Sequence, residues 1–190
     1  MSMNINVRIA NEGDAAALVE IYAPYILKTA ITFEYDVPTD AEFAERIRKT
    51  LSRYPYLVAE KDGRIVGYAY AGSFITRRAC DWAVEASVYV KTDERKSGVG
   101  RLLYTELEKI LEKQNIKNIN VSIAYPVVED EYLTKNSADF HAHMGYSLVG
   151  RFHRCGYKFG RWYDLIWMEK HLGGADYSAS PEPFVPFSEL

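Results

Sequence analysis

The part of this sequence best suited to chemistry is an alternating run over residues 81–90, Asp81-Trp82-Ala83-Val84-Glu85-Ala86-Ser87-Val88-Tyr89-Val90, followed by Arg95-Lys96-Ser97-Gly98-Val99-Gly100-Arg101. The alternation predicts a strand with Trp82, Val84, Ala86, Val88 and Val90 on its core face and Glu85 on a mostly polar face. Val99, Leu102, Leu103, Leu107, Ile110 and Leu111 then recur at helical spacing, so the glycine-bearing segment joins a strand to a helix N-terminus. Glycines at such a junction let backbone N–H groups crowd toward an anion, and the helix end adds the positive pole of its dipole. That combination suits a pyrophosphate. It lacks the third glycine of the dinucleotide fingerprint and the closing Gly-Lys-Ser/Thr of the triphosphate loop, which leaves coenzyme A as the remaining common pyrophosphate cofactor. The same residues also suit an ordinary tight strand-to-helix turn.

Other chemistry is sparse. Cys80 and Cys155 have no partners at metal-ligand spacing, lie outside the glycine segment, and read as small buried residues. His141 and His143 are two apart, which on a helix points them in different directions, so no metal site is expected.

The elements that must position these groups follow from the hydrophobic pattern. A strand over residues 6–9 leads into a helix from Asn11, with Leu18, Ile21, Tyr22, Tyr25 and Ile26 at helical spacing. Pro24 is expected to bend or break that helix and open a loop over residues 28–38. Thr39-Asp40-Ala41-Glu42 is a capping box, and Phe43, Ile47 and Leu51 follow on one helix face. Residues 56–60 and 65–74 form a hairpin closed by Lys61-Asp62-Gly63-Arg64. A strand over residues 118–124, a helix opened by Asn136-Ser137-Ala138-Asp139 and stopped by Gly145, and strands over residues 147–154 and 163–169 complete the order. This predicts an α/β fold with a mixed, partly antiparallel sheet flanked by helices. Residues 1–172 are expected to form one domain, and residues 173–190, rich in Pro, Ser and Gly, a loosely packed tail.

The chain has 190 residues, and 23 Lys and Arg against 26 Asp and Glu give a net charge of −3. No basic run is present to track a phosphate backbone, so nucleic acid is not an expected partner. No apolar run reaches the length that crosses a bilayer, so no membrane is expected either, and Met1-Ser2-Met3-Asn4-Ile5-Asn6 lacks the regions of a signal peptide. The expectation is a cytoplasmic protein.

The Arg95-x-x-Gly98-x-Gly100 pattern, in a chain of this length and element order, resembles the coenzyme A-binding signature of the GNAT N-acetyltransferase superfamily. Thr32-Phe33-Glu34, residues 81–90, Asn136-Ser137 with His141 and Gly145-Tyr146, and Gly156-Tyr157-Lys158-x-Gly160-x-Trp162-x-Asp164 are together similar to the phosphinothricin and methionine sulfoximine acetyltransferase branch. The resemblance spans residues 7–172. It implies a GNAT-like fold, acetyl-CoA as donor, no metal, a small amino-acid-like amine as acceptor, and a homodimer. It also implies that Arg95, Lys96, Ser97, Gly98, Val99, Gly100 and Arg101 cradle the pyrophosphate, that Val88, Tyr89 and Val90 offer backbone to the pantetheine arm and thioester, and that Asn136 and Ser137 bind nearby.

Acetyl transfer requires a neutral amine, because an ammonium has no lone pair to attack the thioester. Glu85 matches the position of the branch's proposed base, although a solvated glutamate is the plainer reading of a polar strand face. His141 stands where the wider superfamily often has a Tyr that protonates the departing thiolate, and an imidazole can donate or accept near neutral pH. Arg77 is nominated for a substrate carboxylate, with Phe33 and Glu34 closing the pocket; surface charge or loop packing accounts for these three equally well. One departure from the branch is the acidic segment over residues 126–135, which is longer than expected. Its Glu129-Asp130-Glu131 keeps a polyamine acceptor open, as do, on other grounds, a protein N-terminus and an acyl-CoA-binding module without turnover.

Overall fold

The computed structural model of the chain describes residues 5–173 and 177–190. Residues 1–4, part of the segment read as lacking a signal, and residues 174–176, within the expected tail, lie outside the described residues. The chain forms two compact units, each assembled from separated stretches. One comprises the chain up to Ile21, Pro38–Ile119 and the chain from His171 onward, and the other comprises Tyr22–Val37 and Asn120–Lys170.

In the first unit, β1 (Ile5–Ile9), β2 (Tyr56–Lys61), β3 (Arg64–Ser73) and β4 (Ala83–Val90) lie side by side in that order, each antiparallel to its neighbour. Asp62 and Gly63 close the β2–β3 hairpin at φ 51° and 74°, the positive values such a two-residue turn needs. The first helix, α1 (Ala15–Lys28), continues through Pro24 without the break that was one of the two expected outcomes. Leu18, Ile21, Tyr22, Tyr25 and Ile26, on both sides of the proline, are all buried. Burying each such side chain contributes roughly 1.5–3 kcal/mol, so the stripe outweighs the roughly 3 kcal/mol that a proline costs a helix.

The second helix, α2 (Asp40–Leu51), begins at the capping box seen in the sequence. Thr39 Oγ1 accepts from the Glu42 N–H at 3.2 Å, and Glu42 Oε2 accepts from the Thr39 N–H at 2.8 Å. Its Phe43 meets the Tyr68 ring edge-on at 5.9 Å, which covers one face of the strands. α3 (Val99–Lys113) covers the opposite face. It comes closest at Gly67, where a Cβ would lie 3.0 Å from Val99 Cγ1 and 3.3 Å from Leu103 Cδ1.

Residues 182–190, expected to be loosely packed, carry specific bonds within this unit. The wholly buried Gln114 amide donates to Arg53 O at 2.9 Å and Val185 O at 2.8 Å, and the Val185 N–H returns to Gln114 O at 3.2 Å. Trp82 Nε1 donates to Glu182 O at 2.6 Å, and Phe184 packs on Tyr54 with the Arg53 guanidinium 4.4 Å from its ring centre. The composition that disfavours helix and strand leaves such bonds available.

The second unit contains most of β5 (Asn118–Tyr125), then α4 (Asn136–His143), β6 (Ser147–Lys158) and β7 (Arg161–His171), with β7 between β5 and β6. The last two strands are longer than the sequence pattern predicts and are joined by a tight turn at Phe159 and Gly160, with φ 51° and 74°. Between the pairs Phe152↔Leu165 and Gly156↔Tyr163, β6 carries three residues against the single Asp164 of β7. Asp164 is fully buried and holds this bulge, accepting from the Arg154 N–H at 2.7 Å, Arg151 Nε at 2.6 Å and His153 Nδ1 at 3.2 Å. Desolvation alone would raise its pKa, but the bonds from Arg154, Arg151 and His153 prevail and lower it. The secondary structure is thus the expected mixed α/β type, with largely antiparallel strands and covering helices.

Candidate active site

Glu85 is half-buried on β4 and pairs with Gly72 of β3. Directly paired antiparallel residues point to the same side. A Cβ on Gly72 would meet nothing within 4 Å, so the sheet face over Gly72, across from Glu85, is open. The rest of this face is aromatic rather than polar. Ser87 pairs with Tyr70 and Tyr89 with Tyr68, and the Tyr56, Tyr68 and Tyr70 rings stack at 4.9 to 6.4 Å. Sequence alternation missed this face because tyrosine counts on either side of an apolar pattern. The tyrosines stiffen the strands that carry Glu85 and reduce the water around their backbone.

The C-terminal end of β4 brings Val88, Tyr89 and Val90, all half-buried, to the glycine segment. Lys96 and Gly98 sit at φ 63° and 89°, and Ser97 Oγ donates to Glu94 O at 2.5 Å, which folds the segment tightly. Gly98 is the N-cap of α3 and supplies no side-chain cap. The first helical bond runs from the Leu102 N–H to Gly98 O at 3.0 Å, so the N–H groups of Val99, Gly100 and Arg101 have no acceptor inside the helix. The first turn holds no acidic residue, and Arg95, Lys96 and Arg101 are exposed around it. Free N–H groups and nearby cations are the features by which helix N-termini attract anions. Arg77 stands exposed at the start of a short 3-10 turn, Arg78–Cys80, in the β3–β4 connection.

In the second unit, α4 carries Asn136, exposed, Ser137, half-buried, and His141, only 5% exposed. His141 Nδ1 donates to Ser137 O at 2.7 Å, which fixes the tautomer and leaves Nε2 as the ring's basic atom. Gly145, at φ 90°, ends the helix with two bonds, Gly145 N–H to Ala142 O and Tyr146 N–H to His141 O, each 3.0 Å. That closure lays the Tyr146 ring edge-on against the imidazole at 5.4 Å, while Phe140 meets it at 5.1 Å. Burial among these groups lowers the His141 pKa to about 4, only partly offset by its bond to Ser137, so the ring is neutral near pH 7. His143 is exposed and its Nδ1 lies 2.6 Å from Asp139 O.

The loop with Phe33 and Glu34 is held by the end of β6. The tip of the Phe33 ring packs against Gly156, where a Cβ would be 2.3 Å from Cζ and Cε2. Lys158 Nζ donates to Thr32 O at 2.8 Å, and the Tyr35 hydroxyl donates to Tyr157 O. The carboxylates of the acidic segment are hydrogen-bonded within the protein, and Arg161 pairs with two of them. Asp130 accepts from the N–H groups of Tyr132 and Leu133, both at 2.8 Å, and from the Tyr163 hydroxyl at 3.0 Å. Glu131 accepts two bonds from Arg161, at 2.8 and 2.9 Å, and Glu129 accepts from the Lys135 N–H at 2.7 Å. Leu133 is buried with Ala30, Ala124 and Tyr163, so this segment is packed structure. Tyr163, desolvated and bonded to Asp130, has its pKa pushed up to about 12.

Cys155, expected to be buried, is exposed in the β6 bulge, and Cys80 is half-buried. Among the described residues no group of three or more His, Cys, Asp or Glu is arranged to hold a metal ion. Gly72, Asp164 and Lys158 escaped the sequence reading as functional positions. The last two lie within the quoted Gly156-to-Asp164 motif, but only the bulge register explains them.

Residues 7–167 match the acetyltransferase (GNAT) domain family. The chain belongs to the GNAT acetyltransferase family. It is 32% identical to the phosphinothricin N-acetyltransferase of Streptomyces viridochromogenes, over 98% of this chain and 96% of that one. It is also 32% identical to the L-methionine sulfoximine/L-methionine sulfone acetyltransferase of Salmonella typhimurium, over 94% and 99% of the two chains. The crystal structure of a GNAT superfamily phosphinothricin acetyltransferase from Sinorhizobium meliloti in complex with acetyl-CoA superposes with a TM-score of 0.85 at 30% identity, covering 95% of this chain and 94% of that one. A GNAT enzyme must hold an acyl thioester and deprotonate an amine. The uncapped basic end of α3 suits the first task, and Glu85 beside its open space suits the second.

Proposed function

We propose that this GNAT protein transfers acetyl from acetyl-CoA to the amine of a small amino-acid-like acceptor of the phosphinothricin, methionine sulfoximine or methionine sulfone type, by direct attack in a ternary complex. The observation that carries the reading is Glu85 paired across from Gly72, over which the sheet face is open, on the strand that leads into the uncapped basic N-terminus of α3. The names of the relatives and the bound acetyl-CoA of the Sinorhizobium meliloti enzyme support the donor and the acceptor class.

Val99, Gly100 and Arg101 N–H groups, with Arg95, Lys96, Ser97 and Gly98 around them, receive the pyrophosphate, and Asn136 and Ser137 add polar contacts to the cofactor. Glu85 accepts a proton from the acceptor ammonium, directly or through water, and the free amine attacks the thioester carbonyl. Backbone N–H groups of residues 88–90 stabilise the oxyanion. Collapse breaks the C–S bond, and the proton shed by the new amide nitrogen neutralises the thiolate. His141 is neutral near pH 7, which suits a proton acceptor or a spacer rather than an imidazolium donor. Arg77 serves the acceptor carboxylate, with Phe33 and Glu34 bordering it.

The motive for a polyamine acceptor is weakened, because Asp130 and Glu131 are paired with Arg161 and Glu129 is bonded to the Lys135 N–H. We also propose a homodimer formed through β6, an edge strand with Leu148, Val149 and Phe152 each more than half exposed. Dependence on acetyl-CoA fits a cytoplasmic location.

The test is thiol release from acetyl-CoA with methionine sulfoximine, methionine sulfone, phosphinothricin, ordinary amino acids and spermidine, using wild type and Glu85→Gln. Turnover of the analogues should fall by about 10²–10⁴-fold in the variant, with acetyl-CoA binding kept. Turnover of spermidine alone would overturn the acceptor class. Binding of acetyl-CoA without any turnover would point to a non-catalytic module.

A further inference from the structure

The ammonium of Lys158 is an unusual group to bury. The residue is 2% exposed, its Nζ donates to a neutral carbonyl, Thr32 O, and it lies 5.3 Å from the Phe159 ring centre. Among the described residues its ammonium makes no salt bridge, and burying a cation is costly, so packing alone would favour an apolar side chain here. The end of β6 grips the neighbouring loop at three successive points. Gly156 receives the Phe33 ring, Tyr157 O accepts from the Tyr35 hydroxyl, and Lys158 donates to Thr32 O. Glu34 lies within that gripped segment. Desolvation pushes the Lys158 pKa down and the negative charge of Glu34, two residues from the gripped Thr32, opposes that fall.

We propose that Lys158 is a positioning and specificity-determining residue for the acceptor: it fixes the Thr32-Phe33-Glu34 segment and offsets the charge of Glu34, so that the enzyme favours an amine carrying its own carboxylate over a purely cationic amine. This rests on the acceptor class proposed above. Without the offset, Glu34 attracts cationic amines and repels the acceptor carboxylate.

Lys158→Met is compared with wild type on methionine sulfone and on its carboxylate-free counterpart, 3-(methylsulfonyl)propylamine. The expected result is a KM for methionine sulfone raised at least tenfold with the acetyl-CoA KM within twofold, and a tenfold rise in preference for the carboxylate-free amine. Equal losses on both amines and on acetyl-CoA, in step with a lowered Tm, would reduce Lys158 to a packing role. Glu34→Gln, which leaves Lys158 unbalanced, should move the preference the other way by at least threefold, and an unchanged preference would overturn the charge argument even if Lys158→Met failed to fold. If wild type acetylates no amino-acid acceptor, the proposed function fails, and hydrogen exchange still decides the positioning role. Amides of residues 31–35 should exchange at least tenfold faster in Lys158→Met with α4 unchanged, and unchanged exchange there would overturn it; should that variant not fold, Lys158→Gln is read the same way.

Discussion

His141 makes a measurable contribution to how stability depends on pH. Its folded pKa is about 4 against an ordinary 6.5, because the ring is desolvated against Phe140 and Tyr146 while its Nδ1–H is bonded to Ser137 O. A histidine whose folded pKa is depressed is protonated first in the unfolded chain, so its stabilisation is complete above the unfolded pKa and is lost as pH falls toward the folded one. The window therefore runs from about pH 6.5 down to about pH 4. At 1.36 kcal/mol per unit of pKa difference, protonation of the unfolded chain should remove about 2 kcal/mol between pH 7 and pH 5. His141→Gln keeps a donor for Ser137 O but does not titrate. Urea unfolding of both proteins at pH 7 and pH 5 should show wild type losing about 2 kcal/mol more than the variant over that interval. The imidazole proton resonances should titrate near pH 4 in the folded protein. Equal losses in the two proteins, or a resonance titrating near pH 6.5, would show that the ring is not held neutral and would return the imidazolium donor to the mechanism.

Gly67→Val should crowd Tyr89 O, Val99 and Leu103 and cost about 1–3 kcal/mol, with the acetyl-CoA KM rising if the displaced turn of α3 carries the proposed anion site; Tm and acetyl-CoA titration check both. Asp164→Asn keeps the shape of the bulge anchor but removes the charge that accepts from Arg151 and the Arg154 N–H. It should cost about 1–3 kcal/mol in urea unfolding, and a loss under 0.5 kcal/mol would show that the bulge is held by other bonds.

Local chemistry was legible in the sequence wherever a few neighbouring residues decide the outcome. The Thr39 and Glu42 capping box, the Asp62-Gly63 turn and the Gly145 stop each depend on side chains or φ values within one turn of chain. The strand, glycine segment and helix that carry the proposed anion site were legible for the same reason. Pro24 misled because its local penalty was weighed without the buried stripe flanking it. The grip of Gln114 on residues 53 and 185, the bulge held by Asp164 and the burial of Lys158 join positions far apart in the chain, and composition holds no record of such pairings. Asp130 and Glu131 were legible as charges but not as partnered ones, since Arg161 and Tyr163 belong to another element.

The empty position opposite Glu85 bears on how this scaffold can change its clientele over generations. Gly72 sits one residue from the end of β3 with open space where its Cβ would be, so lengthening its side chain disturbs no packed neighbour and gains the strand the conformational restriction that glycine lacks. Most positions bordering a reactive group are bound to the core, and a change of size there is paid in stability. Here one codon can narrow the room beside the carboxylate while the fold stays whole, a route by which descendants drift toward smaller acceptors without passing through a misfolded intermediate.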